Sequence, residues 1–157
     1  MAWRPVGFWS STFLCSALAC VGPAHQDVRI ELPPLAQDES RVILYMAVAT
    51  ELPSYCPFLT VDNARVGKLC VGNFFVVDRP PGPHVVGVGI DQNLSAFGEQ
   101  GTTEPVDLTL ALGETAYVQV YALAISQSVK VMLTREPVMN GLRDISSLHL
   151  ENPPPTR

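Results

Sequence analysis

The sequence predicts a mainly β fold, a small antiparallel β-sandwich of about seven strands with one short C-terminal helix. Three observations carry this. Apolar residues recur at every second position in several runs of five to nine residues. Fourteen prolines and eleven glycines break the 157-residue chain between those runs. No apolar stretch keeps helical spacing for long, so bundles and coiled coils are excluded.

The first element is not part of that fold. Residues 1–19 read as a signal peptide, with a lone Arg4, an apolar run from Val6 to Ala19 and small residues at its end. A membrane-spanning helix needs about 20 apolar residues, and Gly22, Pro23, His25, Gln26 and Asp27 interrupt this one first. Both tryptophans, Trp3 and Trp9, fall inside the leader. Ala17-Leu18-Ala19-Cys20 is similar to the lipobox of bacterial lipoproteins, which makes Cys20 the expected lipidation site. Ala17 stands where that motif usually has Leu, and the same residues satisfy the small-x-small rule of ordinary secretory cleavage, so a soluble exported protein is the alternative. Val21, rather than an acidic residue, follows the cysteine, and by similarity to enterobacterial sorting this favours the outer membrane, facing the periplasm.

Residues 20–40 read as a lipid-anchored tether. Twenty residues reach about 70 Å at most, although Val28, Ile30 and Leu32 alternate as a first edge strand would. The folded domain is expected over residues 41–150. Val42 to Val48 is a continuous apolar run and reads as a central strand buried on both faces. Of four cysteines, Cys15 lies in the leader and Cys20 is the lipid site, leaving Cys56 and Cys70 for one disulfide in an oxidising compartment. The segment between them reads as a hairpin turning at Asp62-Asn63. A three-residue loop sets Cys56 opposite Cys70, and a two-residue loop sets Cys56 opposite Val71. The spacing offers no Cys-x-x-Cys motif for thiol exchange or zinc.

Phe74 to Val77 forms the next strand, and Asp78 to Pro83 a tight proline-rich turn. His84 to Ile90 resumes as a strand whose Gly87 and Gly89 admit close approach by a neighbour. Asp91 to Pro105 is a long loop anchored by Leu94 and Phe97, a mobile rim or a binding loop. Leu108, Leu110 and Leu112, then Val118 and Val120, mark two half-buried strands, joined as a hairpin or as an arch between sheets. Ser128 to Glu136 is a last strand with Val129, Val131 and Leu133 on its core side, ended by Pro137. Asn140 is placed to cap a short helix packing Leu142, Ile145 and Leu148 on the sheet. Residues 151–157 read as a disordered, proline-rich tail.

The motifs Leu59 to Leu69, Gly72-Asn73-Phe74-Phe75, Pro81-Gly82-Pro83-His84 and Leu110 to Val120 resemble the bacterial lipoprotein family of domain of unknown function 2846. That family shares strand and turn signatures with PEGA modules and transthyretin-like sandwiches. The resemblance spans Arg41 to Leu150. It implies a small exported sandwich with no assigned activity, and so carries over no catalytic residue.

The remaining chemistry is sparse. A net charge of −5 argues against nucleic acid as a partner. Asp91, Glu99, Glu104 and Asp107 match no calcium-loop spacing, so neither a metal nor a cofactor is expected. His84 sits just after a Pro-Gly turn, and it is expected to hydrogen-bond that turn or to face water. Tyr117 and Tyr121, flanking Gln119, would present an aromatic stripe to solvent if the valines between them face inward. With Phe97 they form the candidate surface for an envelope protein or glycan partner. The expectation is a non-enzymatic binding or scaffold lipoprotein of the bacterial cell envelope, held on its membrane through the N-terminal lipid. The alternatives are a small periplasmic enzyme of the cell-wall hydrolase type, using His84 with acids of the loop, and a soluble secreted sandwich.

Overall fold

The computed structural model describes residues 30–47, 55–89, 103–125 and 128–151. The expected signal peptide, Cys20, His25, Val28, Asp91, Leu94, Phe97, Glu99 and residues 152–157 lie outside the described residues. Within them the chain forms β1 (Ser40–Tyr45), β2 (Phe58–Val61), β3 (Ala64–Lys68), β4 (Asn73–Arg79), β5 (Gly82–Gly89), β6 (Val106–Leu110), β7 (Thr115–Ile125), β8 (Ser128–Glu136), α1 (Val138–Ile145) and β9 (His149–Glu151).

Two sheets face each other as a sandwich. One has five strands in the order β8-β7-β1-β4-β9, the other four in the order β3-β2-β5-β6. The pairing is not purely antiparallel, since β1 runs parallel to β7 and β4 parallel to β9. The cause lies in the corners. The proline-rich segment after β4 and the Gly113 turn after β6 each carry the chain from one sheet to the other. The Leu108–Val120 region is therefore an arch, and β7 reaches β1 from the opposite layer. At the corner after β4, Gly82 has φ +139°, a conformation that side-chain-bearing residues rarely adopt.

Between the sheets lie Val42, Leu44 and Met46, Phe75 and Val77, Val118 and Val120 from the larger sheet. Leu59, Val61, Val86, Leu108 and Leu110 meet them from the smaller one. Their alternation along each strand is what sequence spacing predicts. The strand β1 is buried along its whole length, as its unbroken apolar run requires. Its other face, with Ile43 and Tyr45, joins Phe74, Tyr117, Ile145 and Leu148 in a second cluster, against which Ile30 and Leu32 pack. The larger sheet is thus covered on its outer side by α1 and by the segment entering β1.

Several boundaries differ from the sequence reading. Residues 30–39 form no strand, and β1 begins at Ser40. Leu148 closes onto the second cluster, but Leu142 is 45% exposed, and Gly141 takes its place against the sheet. Asn140 does not cap α1. The helix starts earlier, after Pro137, and no side chain caps it. Glu151 belongs to β9 rather than to the tail: its carboxylate accepts a hydrogen bond from Asn73 Nδ2, and β9 adds to β4.

Candidate functional site

The hairpin is built by its turn. Val61 pairs with Ala64, so the loop has two residues, and Asp62 and Asn63 sit at φ +54° and +61°, the left-handed pair that a type I′ turn demands. Neither simple register then holds. Thr60 pairs with Arg65 but Leu59 with Gly67, so a bulge adds one residue to β3. That residue restores the outcome of the longer loop and carries Cys56 opposite Cys70. The two are disulfide-bonded with Cα atoms 4.3 Å apart.

The same turn organises a polar cluster. Asp62 Oδ1 accepts the Val85 N–H at 3.0 Å, and Asp62 Oδ2 lies 2.8 Å from His84 Nδ1 and 3.6 Å from Arg79 Nε. His84 Nε2 donates to the Pro80 carbonyl at 2.7 Å, and the ring is 8% exposed. Burial pushes the Asp62 carboxyl up. The Val85 N–H, His84 and Arg79 outweigh it and hold the group below the ordinary carboxylate range. Both ring nitrogens of His84 are committed to oxygen, one to the Asp62 carboxylate and one to the Pro80 carbonyl of the turn. The arrangement clasps the hairpin tip to the β4–β5 corner. A nucleophile–base pair needs a hydroxyl or thiol on the ring.

On the opposite layer the structure corrects the aromatic stripe. The valines of β7 do face inward, but the outer face is not open. Tyr117 is 3% exposed and Gln119 7%, and Tyr121 is half-buried. The physical reason is α1. Gly141 brings the helix backbone onto Tyr117, so close that a Cβ there would stand 2.2 Å from the ring. The clue in the sequence is a glycine inside an otherwise helical pattern, which costs about 1 kcal/mol unless packing demands it. Beneath the helix, the Tyr121 hydroxyl donates to Gln119 Oε1, and the Tyr45 hydroxyl lies 3.3 Å from Asp144 Oδ2. Burial first, then Asp144 and Glu136, push the Tyr45 and Tyr121 hydroxyls up. Tyr117 is raised by burial against a lowering by Arg41.

Beside Met132 and Leu150 of the sheet itself, 40% and 36% exposed, this layer presents to solvent the uncovered flank of α1. Val138, Met139 and Leu142 are 51%, 77% and 45% exposed. Val138 and Leu142 are one turn apart and Met139 adjoins them, so the three form one apolar strip beside the buried Gly141–Ile145 stripe. In β1, Arg41 Nε and Nη2 hold Asp78 at 2.6 and 2.8 Å. Its Nη1 donates to the Pro33 carbonyl at 2.7 Å, fixing where the N-terminal segment crosses the sheet. The outer face of the smaller sheet carries Phe58, with the Arg65 guanidinium 3.4 Å from its ring centroid.

Among the described residues no group of three or more His, Cys, Asp or Glu is placed to hold a metal ion. None of their helices is long and apolar enough to cross a membrane. No protein-family model and no curated protein matches the chain.

Proposed function

We propose that the protein is an exported lipoprotein whose sandwich acts as a non-enzymatic binding or scaffold domain on the bacterial cell envelope, anchored through Cys20. The observation that carries the reading is the Cys56–Cys70 bond. Disulfides persist in oxidising compartments outside the cytosol, and here one follows a leader that ends in a lipobox-like Ala17-Leu18-Ala19-Cys20. The resemblance to the lipoproteins of domain of unknown function 2846 belongs to the same proposal. A diacylated cysteine supplies two chains, and two are what stable anchoring takes, at about 0.8 kcal/mol per buried methylene. A scaffold role accords with His84, the residue best placed for chemistry, being spent on a structural clasp.

The experiment is mass spectrometry of the N-terminus of the protein recovered from cells, alongside membrane fractionation. An acylated Cys20 at the N-terminus, in protein that stays with the membranes after a salt wash, is the expected result. A Cys20 at the N-terminus that carries no acyl chain on its sulfur or its nitrogen, or a chain retaining residues 1–19, overturns it.

A further inference from the structure

We propose that the flank of α1 formed by Val138, Met139 and Leu142 is a membrane-contact surface, resting in the interfacial region of the bilayer to which Cys20 is attached. The inference rests on the envelope reading above and adds the orientation of the domain to it.

The first observation is that α1 is only half used by the fold. Gly141 and Ile145 pack on the sheet, while three large apolar side chains beside them remain uncovered. An amphipathic helix with one apolar side left open is the form that lies in a membrane interface, with its apolar face entering the headgroup boundary. Arg143, 73% exposed and ion-paired to Asp144, borders the strip. Its stem can lie along the apolar surface while the guanidinium stays in water.

The second observation is where the chain comes from. The described residues begin at Ile30, and Ile30 and Leu32 pack into the cluster that α1 covers, with Pro33 held by Arg41. The N-terminal segment therefore leaves the domain on the α1 side of the larger sheet. Nine residues separate Cys20 from Ile30, and such a span reaches about 35 Å at most. An anchor at Cys20 keeps this side within about 35 Å of the lipid, and the smaller sheet lies ~10 Å further from the root of that segment. A net charge of −5 makes anionic headgroups a poor attractant, so the contact is apolar and belongs to a zwitterionic surface.

Both tryptophans precede Cys20, so a single introduced tryptophan reports its own surroundings in the mature chain. Met139→Trp places it on the flank. Val85→Trp places it on the outer face of the smaller sheet, where Val85 is 42% exposed. Each mature protein is anchored in phosphatidylcholine vesicles with or without brominated acyl chains. Where the cell does not acylate Cys20, its thiol is coupled to a maleimide headgroup, so that acylation and contact are judged separately. The expected result is blue-shifted emission quenched by brominated lipid for Met139→Trp, with neither effect for Val85→Trp. Equal quenching of both, or of neither, overturns the proposal. A blue shift of Met139→Trp that grows with protein concentration in the absence of vesicles also overturns it, by showing that a second copy covers the flank. Thermal unfolding of both variants within a few degrees of the parent confirms that the fold is intact.

Discussion

Replacing Gly141 by alanine sets two effects of opposite sign against each other. Alanine is the better helix former by about 1 kcal/mol, so an exposed helix would gain stability. Here the new Cβ would stand 2.2, 2.4 and 2.5 Å from Cγ, Cδ1 and Cβ of Tyr117. Ordinary carbon contacts are about 3.5–4.0 Å, and the shortfall therefore exceeds 1 Å. Tyr117 cannot yield, because it is 3% exposed and wedged among Ile43, Tyr45 and Ile145. The helix must lift instead. A gap of 0.5–1 Å already forfeits roughly a quarter to a half of the dispersion attraction, and Ile145 and Leu148 lose their seats with it. Overpacking of this kind costs about 1–3 kcal/mol, and complete release of Ile145 would cost about 1.5–3 kcal/mol. Set against the helix-propensity gain of about 1 kcal/mol, a net loss of about 0.5–2 kcal/mol is expected. Urea unfolding followed by far-ultraviolet circular dichroism and by tyrosine fluorescence measures it. Met139→Ala, on the exposed side of the same helix, is the control and should stay within about 0.5 kcal/mol of the parent. Equal or greater stability for Gly141→Ala would refute the claim that this glycine exists to seat the helix.

Three further outcomes follow from the same contacts. Replacing Cys56 and Cys70 together by alanine opens a loop with a sequence separation of 14 and should cost about 3 kcal/mol in equilibrium unfolding; a change under about 1 kcal/mol would mean that hairpin pairing alone holds these strands. The Asp62 carboxyl is held below its ordinary value, so its contribution is full above about pH 3.9 and fades as pH falls through the lower folded-state value. The melting-temperature gap between parent and Asp62→Asn should thus close on acidification, and a gap constant from pH 7 to pH 2.5 would exclude the carboxylate as its source. Tyr45, Tyr117 and Tyr121 are raised in the folded state, so their contribution is complete below about pH 10 and is lost as pH rises through the folded-state values. Titration of the phenolate absorbance should show Tyr45, Tyr117 and Tyr121 ionising above the ordinary value as alkaline unfolding proceeds, whereas ordinary ionisation of all three would mean that α1 does not cover the sheet.

Much of the architecture was legible in the order of residues. Period-two alternation marks Leu108 and Leu110, Val118 and Val120, and Val129 and Val131. A strand's two faces are set by local geometry alone, so these inner positions needed no knowledge of neighbours. The unbroken run at Val42 announced a strand covered on both sides. Asp62-Asn63 announced a hairpin, because few residue pairs accept two successive left-handed conformations. Two cysteines remaining beside the leader's Cys15 and the expected lipid site Cys20 announced the bridge.

Other features depend on contacts between distant segments, and no local signal carries those. Whether Cys56 stands directly opposite Cys70 or opposite Val71 was open between two loop lengths, and a bulge decided it, since one extra residue shifts every pairing beyond it. The hairpin and the arch at Gly113 share one hydrophobic pattern. Only the second sheet, by offering β6 a partner in β5, selects the arch. Tyr117 and Tyr121 alternate as solvent-facing residues would, and their burial came from α1, which lies some twenty residues further on. Alternation reports which face of a strand a side chain takes. What lies against that face is settled only when the chain returns to cover it, and here a glycine at position 141 lets it do so.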